Sequence, residues 1–70
     1  MIRKAYKNKE GRLHRVGRPA NINIDGQCEW WINGQRHRVD GPAVIYPGEI
    51  QEWWLNDVEV DPLVHFLRQK

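Results

Sequence analysis

The chain has no serine and no threonine. Hydroxyl nucleophiles of the serine and threonine type are therefore excluded, and so are phosphate loops that need a Lys-Ser/Thr pair. A single cysteine, Cys28, excludes an internal disulfide. Three histidines, His14, His37 and His65, have no ligand neighbours at zinc-site spacing, and no motif asks for a metal or cofactor. No apolar run is long enough to cross a membrane, and Met1-Ile2-Arg3-Lys4 leads into further charge rather than a signal-peptide core. These absences point to a cytoplasmic, non-enzymatic binding module.

Seventy residues give one small domain, residues 1–70. A chain of this size buries only about 60% of its unfolded surface and is marginal unless something staples it. With no disulfide or metal available, self-association as a homodimer or larger is the expected staple. The hydrophobic share of 40%, with four tryptophans, is too rich for a disordered chain.

The net charge of +2 conceals a division. Residues 1–20 carry Arg3, Lys4, Lys7, Lys9, Arg12, Arg15 and Arg18 against Glu10 alone. Residues 21–60 carry Asp25, Glu29, Asp40, Glu49, Glu52, Asp57 and Glu59 against Arg36 and Arg38. The basic arm suits phosphate, an acidic protein surface or the acidic part of another copy. It equally suits a solvated strand that blunts an open sheet edge.

An internal repeat of 23 residues is the strongest signal. Gly11, His14, Arg15, Val16, Pro19, Ala20, Ile22, Glu29, Trp30, Trp31 and Asn33 all recur 23 positions later, so 11 of 24 aligned positions are identical without a gap. Turn formers divide the unit at Asp25-Gly26, Asn33-Gly34, Asp40-Gly41-Pro42 and Pro47-Gly48. The intervening stretches Ala20–Ile24, Gln27–Ile32, Ala43–Tyr46 and Glu49–Leu55 have strand composition, and Gln35–Val39 reads as a short extended piece. The fold class is mainly β, with antiparallel hairpin repeats over residues 6–60 forming a small sheet. Asp61 as N-cap, Pro62 at the first helical position and Leu63, Phe66 and Leu67 on one face predict a capping helix over Pro62–Gln69, within the C-terminal segment 61–70.

The run from Trp30 through Gly48, followed by Glu52-Trp53-Trp54-Leu55-Asn56, resembles MORN-like repeats. It is closest to the small variants with a His-Arg-x-Asp-Gly-Pro-Ala core found in bacteriophage and bacterial proteins. The first unit departs from that pattern, with Gly17-Arg18 in place of Asp-Gly and Tyr6-Lys7 in place of the paired tryptophans. The resemblance implies β-hairpin modules used for binding and scaffolding. By analogy it implies a small phage or prophage accessory factor that binds and inhibits or adapts a host protein.

Strand alternation puts Trp30 and Trp53 on one face and Trp31 and Trp54 on the other. Apolar matching favours three-residue loops at both aliphatic hairpins, with Ile24 opposite Cys28. It assigns Ile22, Ile24, Trp30, Ile32, Ile45, Trp53 and Leu55 to a core partly covered by Leu63, Phe66 and Leu67. Trp31, Trp54, Tyr46 and Val44 then lie on an outer face as candidate partner-binding residues, unless Arg15 and Arg38 stack over the rings and cover them. The alternative is an anion or nucleotide site at Arg15, Arg38, His14 and His37, with a tryptophan stacking on a base. The same two arginines and histidines could instead bridge one hairpin to the next.

Overall fold

The structure is a computed structural model and describes residues 2–48 and 50–67. In chain order the elements are β1 (Ile2–Ala5), β2 (Asn21–Asn23), β3 (Cys28–Glu29), β4 (Trp31–Ile32), β5 (Gln35–Arg36), β6 (Val44–Ile45), β7 (Gln51–Leu55), β8 (Val58–Val60) and α1 (Pro62–Leu67). The strands form a six-stranded sheet in the order β1-β2-β3-β6-β7-β8 and a separate pair, β4-β5. Every pairing is antiparallel. The fold is mainly antiparallel β with one short C-terminal helix.

Turn chemistry sets the register. Asn33 and Gly34 have φ of 49° and 81°, and Asn56 and Asp57 have φ of 48° and 68°. Two central residues with positive φ make the tight hairpin turns that match strand twist. They set Ile32 against Gln35 and Leu55 against Val58. The two other hairpins close over three residues. Tyr46 N donates to Ile50 O at 2.7 Å across residues 47–49, as the turn chemistry predicts. Asn23 N donates to Gln27 O at 2.9 Å across Ile24-Asp25-Gly26. That second loop lies one residue earlier than apolar matching alone suggests, so Ile22, not Ile24, faces Cys28. Both registers put the same residues on the same face. Ile24 moves to the loop tip, 60% exposed, and leaves the core. The Asn23 Nδ2 to Gln27 Oε1 bond of 2.9 Å, which hydrophobicity does not count, holds this register.

Two edge strands complete the sheet. β1, at the start of the basic N-terminal stretch, pairs antiparallel with β2 at one end of the sheet. β8 extends the last hairpin beyond the point where the repeat fades in sequence. Trp30 interrupts the strand expected over Gln27–Ile32: its N–H crosses to Ala43 O at 2.7 Å and its carbonyl accepts from His37 N at 3.1 Å. This bend throws the β4-β5 hairpin out of the main sheet.

The hydrogen bonding repeats as the sequence does. Arg15 N bonds Trp31 O, Gly34 N bonds Leu13 O and Ala20 N bonds Glu29 O. Moved by 23 positions, the same bonds join Arg38 N to Trp54 O, Asp57 N to Arg36 O and Ala43 N to Glu52 O. Three hairpins thus follow one another in the repeat, with Lys7 against Leu13, Trp31 against Arg36 and, within the main sheet, Trp54 against Glu59. The loop of the first hairpin is one residue longer, so Tyr6 takes the place of Trp30. Its N–H donates to Ala20 O at 2.8 Å and its carbonyl accepts from His14 N at 3.0 Å.

The apolar core among the described residues is Ala20, Ala43, Val44 and Leu55. The helix caps as its sequence requires, with Val64 N donating to Asp61 Oδ1 at 2.9 Å. It is described over Pro62–Leu67, and the remainder of the anticipated span lies outside the described residues. Its orientation differs from the hydrophobic pattern. His65 is the buried residue, donating through Nε2 to Arg38 O, while Leu63, Phe66 and Leu67 are exposed. The buried imidazole satisfies a backbone carbonyl that a leucine could not.

Candidate functional site

Asn21, Glu29, Val44 and Glu52 form one row across β2, β3, β6 and β7. Trp31 and Trp54 follow Glu29 and Glu52 by two residues and share their face. Glu29 is 6% exposed and fully engaged. Its Oε1 accepts from Asn21 Nδ2 at 2.8 Å and Trp31 Nε1 at 3.0 Å, and its Oε2 accepts from Gln27 Nε2 at 2.9 Å. Arg36 Nη2 lies 3.7 Å from the same Oε2. Trp54 Nε1 donates to Glu52 Oε1 at 3.0 Å, and the Tyr46 hydroxyl donates to Glu52 Oε2 at 3.3 Å. The Arg36 guanidinium sits 5.0 Å from the Trp31 ring centroid and 4.9 Å from that of Trp54.

The four residues singled out as partner contacts therefore belong to a polar–aromatic interior. Val44 has no accessible surface and is a core residue, so it is withdrawn as a contact. Trp31, Trp54 and Tyr46 are half-buried and hydrogen-bonded within the chain. Burial and the Glu52 charge push the Tyr46 hydroxyl above its ordinary pKa. Arg36 is the residue that covers the two indoles. Arg15 and Arg38 stack elsewhere, 3.8 Å from the Tyr6 centroid and 3.9 Å from the Trp30 centroid.

The His-Arg pairs sit at the joints between hairpins. His14 Nδ1 accepts from Asn33 N and His37 Nδ1 from Asn56 N, both at 3.0 Å. Arg15 Nη1 donates to Pro19 O at 3.3 Å, and Arg38 Nη1 donates to Pro42 O at 3.1 Å. Each guanidinium is thus held between an aromatic ring and a carbonyl of its own loop, a bridging arrangement.

Arg38 has a further partner in Asp40, with Nε 3.0 Å from Oδ1. That hydrogen bond, with the guanidinium charge, holds the Asp40 carboxyl below its usual range. A Cβ at Gly41 would lie 2.8 Å from Arg38 Cζ, so a side chain there would require the guanidinium to shift from its present partners. The first unit has Gly17-Arg18 in these places and gives Arg15 no such carboxylate.

The face opposite the polar–aromatic row is the open one. The two His-Arg loops bound a cleft of about 220 Å³, with Trp30 and Ile32 in its lining and Val16 and Val39 on its walls. Val16 is 78% exposed and Val39 52%. They are repeat equivalents, so each loop offers the same aliphatic side chain to solvent. A second cleft of about 340 Å³ shares Val39 and Asp40 and continues over Trp53 to Pro62, His65 and Phe66. Val16 and Val39 were not singled out from sequence as contacts. Their identity at matching places in a solvent-facing loop, where nothing in the strand pattern calls for valine, was the available signal. Among the described residues no cluster of three His, Cys, Asp or Glu could hold a metal ion, and no helix is long and apolar enough to cross a membrane.

Fold and site define a small antiparallel β protein whose hairpins stack with a 23-residue period and whose open face is an apolar cleft. Comparison of the chain with protein-family models, with curated proteins and with solved structures finds no match.

Proposed function

We propose that the chain is a non-enzymatic protein-binding module that receives an apolar side chain of a partner protein in the cleft between its two His-Arg loops. The observation that carries this reading is the pair of exposed valines, Val16 and Val39, flanking Trp30 and Ile32. Contiguous apolar surface on so small a chain is the usual mark of an interaction site. A half-buried tryptophan inside it is the usual anchor. The resemblance to MORN-like repeats, modules of binding and scaffolding, supports the same reading. The nucleotide alternative asks Arg15 and Arg38 to face a phosphate, and both guanidiniums are already turned to carbonyls of Pro19 and Pro42.

Photo-crosslinking tests the proposal. A benzophenone amino acid at position 39 should yield one discrete protein adduct in lysate, lost on adding Val16→Asp. The same group at Ile24, an exposed loop tip away from the cleft, should not. Identical adducts from both positions, or adducts to nucleic acid from position 39, would sink it.

A further inference from the structure

The two clefts are one pocket repeated. Val16, Gly17, Trp30 and Val39 border the first. Moved by 23 positions they become Val39, Asp40, Trp53 and Pro62, which border the second. Val39 is thus a ridge common to both. The backbone keeps the two clefts in line. Trp30 N donates to Ala43 O at 2.7 Å and Ala43 N donates to Glu52 O at 2.8 Å. Trp30, Ala43 and Trp53 therefore lie in one row, and Ala43 between the rings has no accessible surface. Two interstrand steps set the backbones of Trp30 and Trp53 about 9.6 Å apart.

We propose that the occupant is a proline-rich segment of a partner protein in the polyproline II conformation. It seats apolar side chains three residues apart in the two clefts and carries an acidic residue at an end. This deepens the partner-binding reading and rests on it.

The spacing selects the conformation. A polyproline II chain returns to the same side every three residues, about 9.3 Å along its axis. Its two intervening side chains point away and clear the Val39 ridge. An extended strand repeats its face at about 6.8 Å, too short to reach both clefts with neighbouring side chains. An α-helix offers its seventh residue at about 10.5 Å, but its third and fourth fall on the ridge. Aromatic-lined grooves are the usual seat of such proline-rich segments, whose conformation is set before they bind.

Charge selects the flank. On the ridge, Arg38 and Asp40 balance each other. At the Val16 end Arg15 has no such carboxylate. Arg18, which follows Gly17, is exposed and has no hydrogen-bond or ion-pair partner among the described residues. The unmatched positive charge at that end suits an acidic residue of the segment.

Calorimetric titration of the full chain with capped synthetic peptides is the test. Each peptide is proline-rich, has Asp at both ends and differs in its centre. Leu-Pro-Pro-Leu should bind about tenfold tighter than a single leucine, as burial of a second such side chain implies. It should also outbind Leu-Pro-Leu and Leu-Pro-Pro-Pro-Leu. Equal affinity across the spacings, or preference for another one, would overturn the proposal. A single-leucine peptide that binds as well as the rest would still satisfy the one-cleft reading. No binding by Leu-Pro-Pro-Leu also overturns the proposal, and the crosslink at position 39 then decides the one-cleft reading alone.

Variants locate the binding. Val16→Asp in one cleft and Pro62→Glu in the other should each reduce Leu-Pro-Pro-Leu to the affinity of the single-leucine peptide. Full affinity in either folded variant would overturn the two-cleft arrangement. The peptide series itself uses the wild-type chain and stands if a variant fails to fold. Lys in place of both flanking Asp residues should weaken binding, and Arg18→Glu should reverse that preference. Indifference to the flanks would overturn the acidic end.

Discussion

The Trp31 indole N–H donates to Glu29 Oε1 at 3.0 Å across the Trp30 bend that separates β3 from β4, and the acceptor is almost completely buried. A charged acceptor in that position is tolerable because three donors meet it. Replacing it should expose the dependence. Glu29→Ala strands the donors of Asn21, Gln27 and Trp31 and should cost at least the roughly 1–3 kcal/mol of a buried unsatisfied group. Trp31→Phe keeps the ring, removes one donor and should cost about 1 kcal/mol. Urea unfolding followed by circular dichroism measures both. Equal midpoints for Glu29→Ala and the wild type would show that the network supports nothing.

Trp54 repeats the arrangement and should behave as a structural residue. Trp54→Ala opens a cavity beside Arg36 and removes the indole N–H that Glu52 Oε1 accepts, leaving Glu52 only the Tyr46 hydroxyl. For a half-buried ring the loss should be roughly 2–4 kcal/mol, somewhat below the range for fully buried tryptophan. A Trp54→Ala variant that melts with the wild type and loses only partner capture would restore Trp54 as an outward contact.

Gly41 is the tight point of the second His-Arg loop. Gly41→Ala drives a methyl into the Arg38 guanidinium, which the Trp30 ring, Pro42 O and Asp40 all hold in place. Overpacking of this kind should cost roughly 1–3 kcal/mol. The double variant Arg38→Ala/Gly41→Ala should lose less than the sum of the two singles, because the clash needs both partners. Strict additivity in a thermal-melt cycle would contradict the contact. Arg18 occupies the matching place in the first unit, where Arg18→Ala should leave the melt unchanged.

The two tyrosines should titrate apart. A hydrogen bond with Lys4, helped by the nearby Arg15 charge, draws the Tyr6 hydroxyl below its ordinary value, while burial and Glu52 raise Tyr46. Tyr46 in the fold prefers its neutral form. Its stabilising contribution is present below the unfolded value of about 10 and is lost as pH rises through the folded one. Tyr6 acts with the opposite sign, because the fold favours its anion. Ultraviolet titration should therefore show one early and one late transition, and Tyr46→Phe should delete the late one and soften alkaline unfolding. Asp40 works at the other end of the scale. Its depressed pKa contributes stability above the unfolded carboxylate value of about 3.9, lost as pH falls through the folded one. A single tyrosine transition at the free-tyrosine position would refute the assignment.

The turns were legible in sequence because their chemistry is local. Asn33-Gly34 and residues 47–49 close where Asn, Gly and Pro place them. The hairpin at Asp25-Gly26 closes one residue earlier because a polar Asn23–Gln27 pair outweighs the apolar match of Ile24 with Cys28. β1 was visible only as charge, since Ile2-Arg3-Lys4-Ala5 has no strand alternation and owes its conformation to the free edge of β2. Alternation correctly separates Trp30 from Trp31 but does not say which face closes. The closing face is chosen by Glu29 and Glu52, each two residues ahead of a tryptophan whose N–H it can accept. Glu-x-Trp repeated at 23 residues was the sign of an inward polar row, and hydrophobic counting passes over it.

The joints between hairpins carry a consequence for the length of the molecule. Asn33 to His14 and Gly34 to Leu13 make one joint, and Asn56 to His37 and Asp57 to Arg36 make the next from the same atoms. Residues 34–56 therefore behave as a cassette whose two ends match each other. A further copy of it spliced after Asn56 meets the joint chemistry it already uses, and the terminal strand and helix move outward unchanged. The chain is in this sense a ruler: its span grows by whole units, and its ends are indifferent to how many units lie between them.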